Sequence, residues 1–299
     1  MGLNGPFCIY KMLSRKTILI ILLFANIVSW SFIYDLTSTS NLEVCFFDVG
    51  QGDSILIKAG DKQILIDGGP NNSVVSKLSK KMPLFDKQID LVVLTHPHHD
   101  HLNGLLNVFE KFKVSNFLFT GEIFESKNFN ILQDLILKEG SKKYIAKLGL
   151  RIIISKDQYI DVLYPFESLN NQLLTDAKAN DSSVILKLYS FNDTMLFTGD
   201  ATFKTESDLV EKGIDIRSDV LKVAHHGSKY ATTDFFLHSV LPKLAAISVG
   251  ENNTYNQPAI EMLDRLEKDN IKVVRTDKNG DICLTQKKTK QFSLSSQME

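Results

Sequence analysis

The stretch Leu94-Thr95-His96-Pro97-His98-His99-Asp100-His101 carries the reading of this chain. It grows out of Leu91-Val92-Val93-Leu94, an apolar run that reads as a buried strand. The strand delivers four potential metal donors, His96, His98, Asp100 and His101, into one tight loop, and Pro97 blocks a helical start among them. Four of the seven histidines fall here, two more are adjacent at His225-His226, and only His238 lies elsewhere. Imidazole suits Zn2+, Mn2+ or Fe, and a carboxylate adds a hard anionic donor. The spacing lets His96 and His98 clamp one cation while Asp100 and His101 clamp a second. The plainer alternative is a solvated, histidine-rich loop with one adventitious ion. The rest of the chain weighs against it, because it supplies further donors in order.

Those donors stand at the ends of other apolar runs. The strand 63–66 stops at Asp67-Gly68-Gly69-Pro70, the strand 195–197 at Thr198-Gly199-Asp200, and the strand 220–223 at Ala224-His225-His226-Gly227-Ser228. In layered α/β folds such ends meet along one edge of a sheet, where sites form. Asp200 is the expected anionic bridge between two cations; its competing role is to cap the helix that starts near Thr202. Strands are further expected over 42–47, 54–58, 116–119, 151–155, 159–163, 183–188, 245–249, 272–275 and 281–285. Helices are expected over 73–81, 102–111, 129–138, 203–212, 233–240 and 259–268. No linker or composition break interrupts 42–285, so one α/β domain is expected there, with a polar, frayed tail over 286–299.

With 299 residues and 43 % hydrophobic content the chain can build a sizeable core. Its formal net charge is −1; the first 34 residues carry three cations, Lys11, Arg15 and Lys16, and no acid, which leaves −4 on the remainder. Composition therefore gives no sign of nucleic-acid binding. Cys8, Cys45 and Cys283 form no CxxC pair, which excludes a zinc knuckle and a disulfide scaffold. Cys45 and Cys283 read as small buried hydrophobes, able to pair only if the domain lies outside the cytoplasm. Residues 17–34 are apolar, follow basic residues and end near Trp30 and Tyr34, which fits one membrane-spanning anchor. The positive-inside rule puts residues 1–16 in the cytoplasm and, beyond a linker at 35–41, the bulk of the chain outside. The alternative is a cleaved signal peptide and a secreted protein.

The motifs resemble the metallo-β-lactamase superfamily: the HxHxDH loop, the Asp67 turn, the Gly199-Asp200 step and the late histidine come in that family's order. The phrases FFDVGQGDSILI, ILIDGG, LTHPHHDHLNGL, MLFTGDA, DVLKVAHHGS and ISVGENNTY are similar to the hydrolase domain of ComEC-type DNA-uptake proteins, over about residues 42–285. The resemblance implies an αββα sandwich with two divalent ions, Zn2+ or Mn2+, on its edge. His96 and His98 would hold one ion, Asp100 and His101 the other, and Asp200 would bridge them. One of His225 and His226 would complete the second site, with His225 preferred because it directly follows the strand. Asp67 would orient the histidine loop. Asp48, Gln51 and Asp53, in the glycine-rich turn, would support the site or meet substrate, and Ser228 would be a substrate contact.

Two positions depart from the family. No histidine stands between His101 and His225, where the superfamily usually has one; Asn180-Asp181-Ser182 is found there, which makes Asp181 a candidate ligand. Gln257 occupies the place of a histidine frequent in the ComEC-like subset. The implied activity is metal-assisted hydrolysis of a phosphodiester, single-stranded DNA in the first instance, with Asp100 also accepting the water's proton. Lys222, Lys229 and Lys278 are candidates to meet phosphates, although a solvated face is the ordinary role of each. The alternatives are a hydrolase of a small lactam, lactone or thioester, and a membrane-tethered metal-binding module with little catalysis. ComEC-type proteins also carry a many-span membrane domain, so this chain reads as a stand-alone, singly anchored relative, with a competence-type membrane channel as its expected partner.

Overall fold

A computed structural model describes residues 14–37, 42–83, 86–287 and 291–295. Cys8, Lys11, residues 38–41 of the expected linker and the last residues of the tail lie outside them. The chain divides into two units, residues 1–39 and 40–299. In the first, the helix Arg15–Thr37 covers the expected span, and its 18-residue stretch Arg15–Phe32 is apolar enough to cross a membrane.

The second unit is built on two sheets. In the first, Ser293–Ser295, Ile282–Gln286, Leu42–Phe46, Ile55–Ala59, Lys62–Ile66, Gln88–Val93, Lys113–Phe119 and Lys142–Ile145 lie side by side in that order. The last four run parallel. In the second the order is Lys272–Arg275, Leu244–Ile247, Val220–Lys222, Asp193–Phe197, Ile185–Ser190, Gln158–Tyr164 and Arg151–Ser155, with the first four parallel.

Strand alternation sends Val44, Ile57, Ile66 and Val93 inward, where they meet Leu186, Phe197, Val220 and Ala246 of the opposite sheet. The outer face of the first sheet, with Leu56, Leu65 and Val92, packs on Val74 and Leu78 of the helix Ser73–Lys81 and on Leu102, Leu105 and Val108 of the helix His99–Lys111. The outer face of the second, with Leu196, Leu221 and Ala245, packs on Leu209, Phe236 and Met262 of three further helices, Phe203–Glu211, Asp234–Val240 and Ile260–Lys268. The order helix, sheet, sheet, helix is the αββα sandwich. In both sheets the parallel strands present their C-terminal ends to the segments that carry the histidines and aspartates.

Three expectations are corrected. The tail does not fray at Gln286: that side chain is buried, donating to Ser190 O at 3.2 Å and Asp193 Oδ2 at 3.0 Å, and Ser293–Ser295 adds a strand beyond it. Cys45 and Cys283 are not separate thiols. They are directly opposite in neighbouring strands and form a buried disulfide. The helix expected from Leu102 starts at His99, with His98 still extended before it. Asp100 and His101 are therefore in a first helical turn, where exposed N–H groups and the helix dipole favour a carboxylate.

Candidate metal centre

Asp67 is the hub of the histidine loop. It follows the strand Lys62–Ile66 in a left-handed conformation, φ 58°. Its Oδ1 accepts the Thr95 N–H at 2.8 Å; its Oδ2 accepts the Thr95 hydroxyl at 2.7 Å and His101 Nδ1–H at 2.8 Å. Since the Thr95 hydroxyl donates to Asp67, its oxygen is left to accept His96 Nδ1–H, 3.1 Å away. On the other sheet, His226 Nδ1–H donates to the carbonyl of Ser248 at 2.9 Å. In the neutral form each of the three imidazoles thus keeps its proton on Nδ1, and the Nε2 atoms are turned to the same space.

Asp200 stands in that space. Its Oδ1 is 3.3 Å from His101 Nε2 and 3.5 Å from His226 Nε2; its Oδ2 is 3.9 Å from His96 Nε2 and 3.8 Å from His225 Nε2. Asp100 Oδ2 lies 3.3 Å from His226 Nε2. Asp100, His101, Asp200 and His226 bring ligand atoms all within 4.8 Å of one another. The structure therefore sets His226, not His225, against Asp100 and His101. Both histidines are left-handed, at φ 50° and 54°, and that kink sends consecutive side chains to different sides. His98 sits at the rim, its ring 4.8 Å from that of His96 and its Nε2 3.2 Å from the carbonyl oxygen of Asp176.

Asp53 belongs to the centre through Lys222. The lysine is fully buried, 2.6 Å from Asp53 Oδ2 and 3.3 Å from Gly199 O, so it has neither the solvated face nor the free phosphate role open to it in the sequence. Asp53 Oδ1 is 3.4 Å from His226 Nδ1, and the Asp53 N–H donates to Asp100 O at 3.2 Å. That approach requires glycine at 52, since a Cβ there would collide with the Asp100 carbonyl.

The remaining expected residues are more distant from the chemistry. Gln51 lines the opening; it donates to Gln257 Oε1 at 2.7 Å and accepts Gly250 N–H at 3.1 Å. Gln257 in turn donates to the carbonyl of His225 at 3.1 Å. Asp48 caps its own turn at Gly50 N–H, Ser228 accepts Tyr230 N–H, and Asp181 accepts the Thr202 hydroxyl. In the Asn180-Asp181-Ser182 stretch it is Asn180 that meets the centre, 3.4 Å from His225 Nε2. Its neighbour, an ionisable residue, drew the attention in the sequence.

Electrostatics supplies the test of fit. Asp53, Asp67, Asp100 and Asp200 bring four carboxylates to the centre, and among the described residues Lys222 pairs with one of them, Asp53. Burial alone would push the Asp53 carboxyl up, but Lys222 and His226 bring it down to about 2. Burial likewise opposes ionisation of Asp200, and His226 and His101 more than offset it. The same carboxylates, Asp200 foremost, overcome burial and lift His101 and His226 well above the ordinary histidine range. His96 goes the other way, lowered by burial and then by His101. Yet the Nε2 atoms of His96, His101 and His226 and the Oδ1 of Asp200 are buried without a hydrogen-bond partner. Converging, unpartnered nitrogen and oxygen atoms among four carboxylates fit divalent cations, which would displace the Nε2 protons.

Comparison with known proteins agrees with this fold. The chain is 33 % identical over 270 residues to ComE operon protein 3 of Bacillus subtilis, over 84 % of this chain and 34 % of that protein. It is 28 % identical over 265 residues to Competence protein ComA of Neisseria gonorrhoeae, over 87 % of this chain and 34 % of that protein. It thus spans about a third of the length of these curated relatives. Among solved structures, the metallo-beta-lactamase fold protein YhfI from Bacillus subtilis superposes with a TM-score of 0.56 at 13 % identity, over 83 % of this chain and 100 % of that one. The profile of the metallo-beta-lactamase superfamily matches residues 47–251, the stretch that contains every one of the converging donors, and the chain belongs to that superfamily.

Proposed function

We propose that the chain is a metal-dependent phosphodiesterase that cuts single-stranded DNA, with two divalent cations, Zn2+ or Mn2+. The observation that carries the reading is the divided Asp200 carboxylate, one oxygen facing His101 and His226 and the other facing His96 and His225. One cation would be held by His96, His98 and His225, the other by Asp100, His101 and His226, with Asp200 shared. Bound there, the cations supply Lewis acidity to a phosphoryl oxygen and to the attacking water. Asp100, whose Oδ2 lies 3.3 Å from His226 Nε2, would accept a proton from the attacking water. Asp67, Thr95 and the Ser248 carbonyl hold the imidazoles in one tautomer, so the donor set is arranged before substrate arrives.

DNA as substrate is supported by two of the curated relatives, Competence protein ComA of Neisseria gonorrhoeae and Recombination protein 2 of Haemophilus influenzae, by what their names say. The helix Arg15–Thr37 would anchor the chain with the folded unit outside the cytoplasm, beside a competence-type channel. Arg15 and Lys16 at its start and the Cys45–Cys283 disulfide support that orientation. The test uses the full chain in detergent with Mn2+ or Zn2+ on end-labelled single- and double-stranded DNA. Cleavage of the single strand is expected, reduced at least about a hundredfold in Asp200→Asn, since even residues behind the ligands cost about 10–100-fold. A metal-loaded parent that cuts neither strand would overturn the DNA reading and move the substrate to small esters, lactams and lactones.

A further inference from the structure

The opening over Asp200, His225 and His226, a cleft of about 180 Å³, has a neighbouring cleft on either side. On one side His98 and Asp176 also line a neighbouring cleft of about 490 Å³ whose charged lining includes Glu125. On the other side Tyr255 and Gln257 also line a neighbouring cleft of about 330 Å³, with Lys229, Tyr230, Ile260 and Glu261. The second cleft is the one furnished for a nucleotide. Tyr230 and Tyr255 are 73 % and 59 % exposed and leave aromatic surface open to a ligand.

Their backbones are held firmly. Asn253 Oδ1 accepts the N–H groups of Tyr255 and Gln257 at 3.1 and 3.0 Å, while its amide donates to Gly250 O and Gln257 O at 3.0 and 2.6 Å. On the other wall the Arg265 guanidinium binds the carbonyls of Lys229, Ala231 and Thr232 at 2.6, 2.9 and 3.1 Å. Lys229 Nζ lies 5.1 Å from the centre of the Tyr230 ring. Exposed tyrosines on a fixed backbone offer wide contact area at little cost in ordering.

We propose that Tyr230 and Tyr255 form a stacking subsite for the nucleobase next to the scissile phosphate, with Lys229 meeting the following phosphate. The proposal rests on the phosphodiesterase reading and deepens it: the substrate is recognised by its bases, and only a single strand has base faces free to stack. In a duplex those faces are already covered by neighbouring bases.

The test measures anisotropy of labelled oligothymidine and of a tetrahydrofuran-spacer strand of equal length, which has the same phosphates and no bases. The full chain is used in detergent with EDTA, so that nothing is cut. The parent is expected to bind oligothymidine at least about fivefold more tightly, as one stacked base is worth about 1–3 kcal/mol. The Tyr230→Ala/Tyr255→Ala variant should bring oligothymidine down to the affinity of the spacer strand, and Tyr255→Trp should keep the preference. A parent that does not distinguish the strands, or a double alanine variant that still does, would overturn the subsite. Cleavage of both strands is then followed with Mn2+. If neither is cut while the binding preference persists, the nuclease reading falls and the base-stacking subsite stands.

Discussion

His101 and His226 have two claimants for their Nε2 atoms, a proton and a cation, and pH decides between them. Without metal, Asp200 and its neighbours raise both folded-state pKa values well above 6.5. A raised histidine contributes stability that is fully present below the unfolded value and is lost as pH rises through the folded value. A divalent cation needs the same lone pairs free of protons, so its binding strengthens across that interval. Asp53, at about 2, and Asp200, also depressed, contribute stability that is constant above the ordinary aspartate value and lost only in acid, whereas burial raises Asp67 and Glu122, the latter to about 7, and both lose stability as pH climbs from the ordinary carboxylate range to their folded values, which adds to the fall. From about pH 6 to about pH 9 the melting temperature of the chelated protein is therefore expected to fall, while the increment from saturating Mn2+ grows. Scanning calorimetry at several pH values, with and without Mn2+, checks this. An increment that stays flat would remove His101 and His226 as the competing pair.

At the scale of elements, the centre depends on how closely the helix His99–Lys111 lies on the turn after Lys62–Ile66. Gly104 N–H donates to Gly69 O at 2.9 Å and Gly68 N–H to His101 O at 2.7 Å, and a Cβ at Gly104 would run into the Gly68 carbonyl. Gly104→Ala is expected to cost about 1–3 kcal/mol by overpacking, a melting temperature lower by about 2–12 °C at about 2–4 °C per kcal/mol. Metal affinity should drop with it, because His101 is carried on the same turn; unchanged melting and metal titration would show that the helix can shift without cost. Much of this arrangement was legible in the sequence, because the signal is local: an apolar run followed within three residues by Asp67, His96, Asp200 or His225 marks the end of a strand. What was not legible depends on distant partners. Lys222 looks like any surface lysine until the second sheet brings it to Asp53. The choice between His225 and His226 is made by a two-residue kink and the carbonyl of Ser248. Gln286 looks like the start of a tail until Ser190 and Asp193 bury it.

At the scale of the whole molecule, the disulfide bears on which side of a membrane the folded unit works. Cys45 and Cys283 are 238 residues apart in sequence and face each other across adjacent strands of the first sheet. Closing so long a loop restricts the unfolded chain, and such bonds are typically worth about 2–4 kcal/mol. They persist in oxidising compartments and are kept reduced in the cytosol. An anchor that begins Arg15-Lys16 would by the positive-inside rule leave the folded unit on the oxidising side. In acid-quenched cells, light N-ethylmaleimide applied under denaturing conditions marks free thiols; heavy N-ethylmaleimide after reduction marks those that were bonded. Mass spectrometry is expected to find the heavy label on both Cys45 and Cys283. The light label on both would place the unit in a reducing compartment, reverse the orientation proposed for the anchor, and take DNA arriving from outside the cell away as the substrate the centre meets.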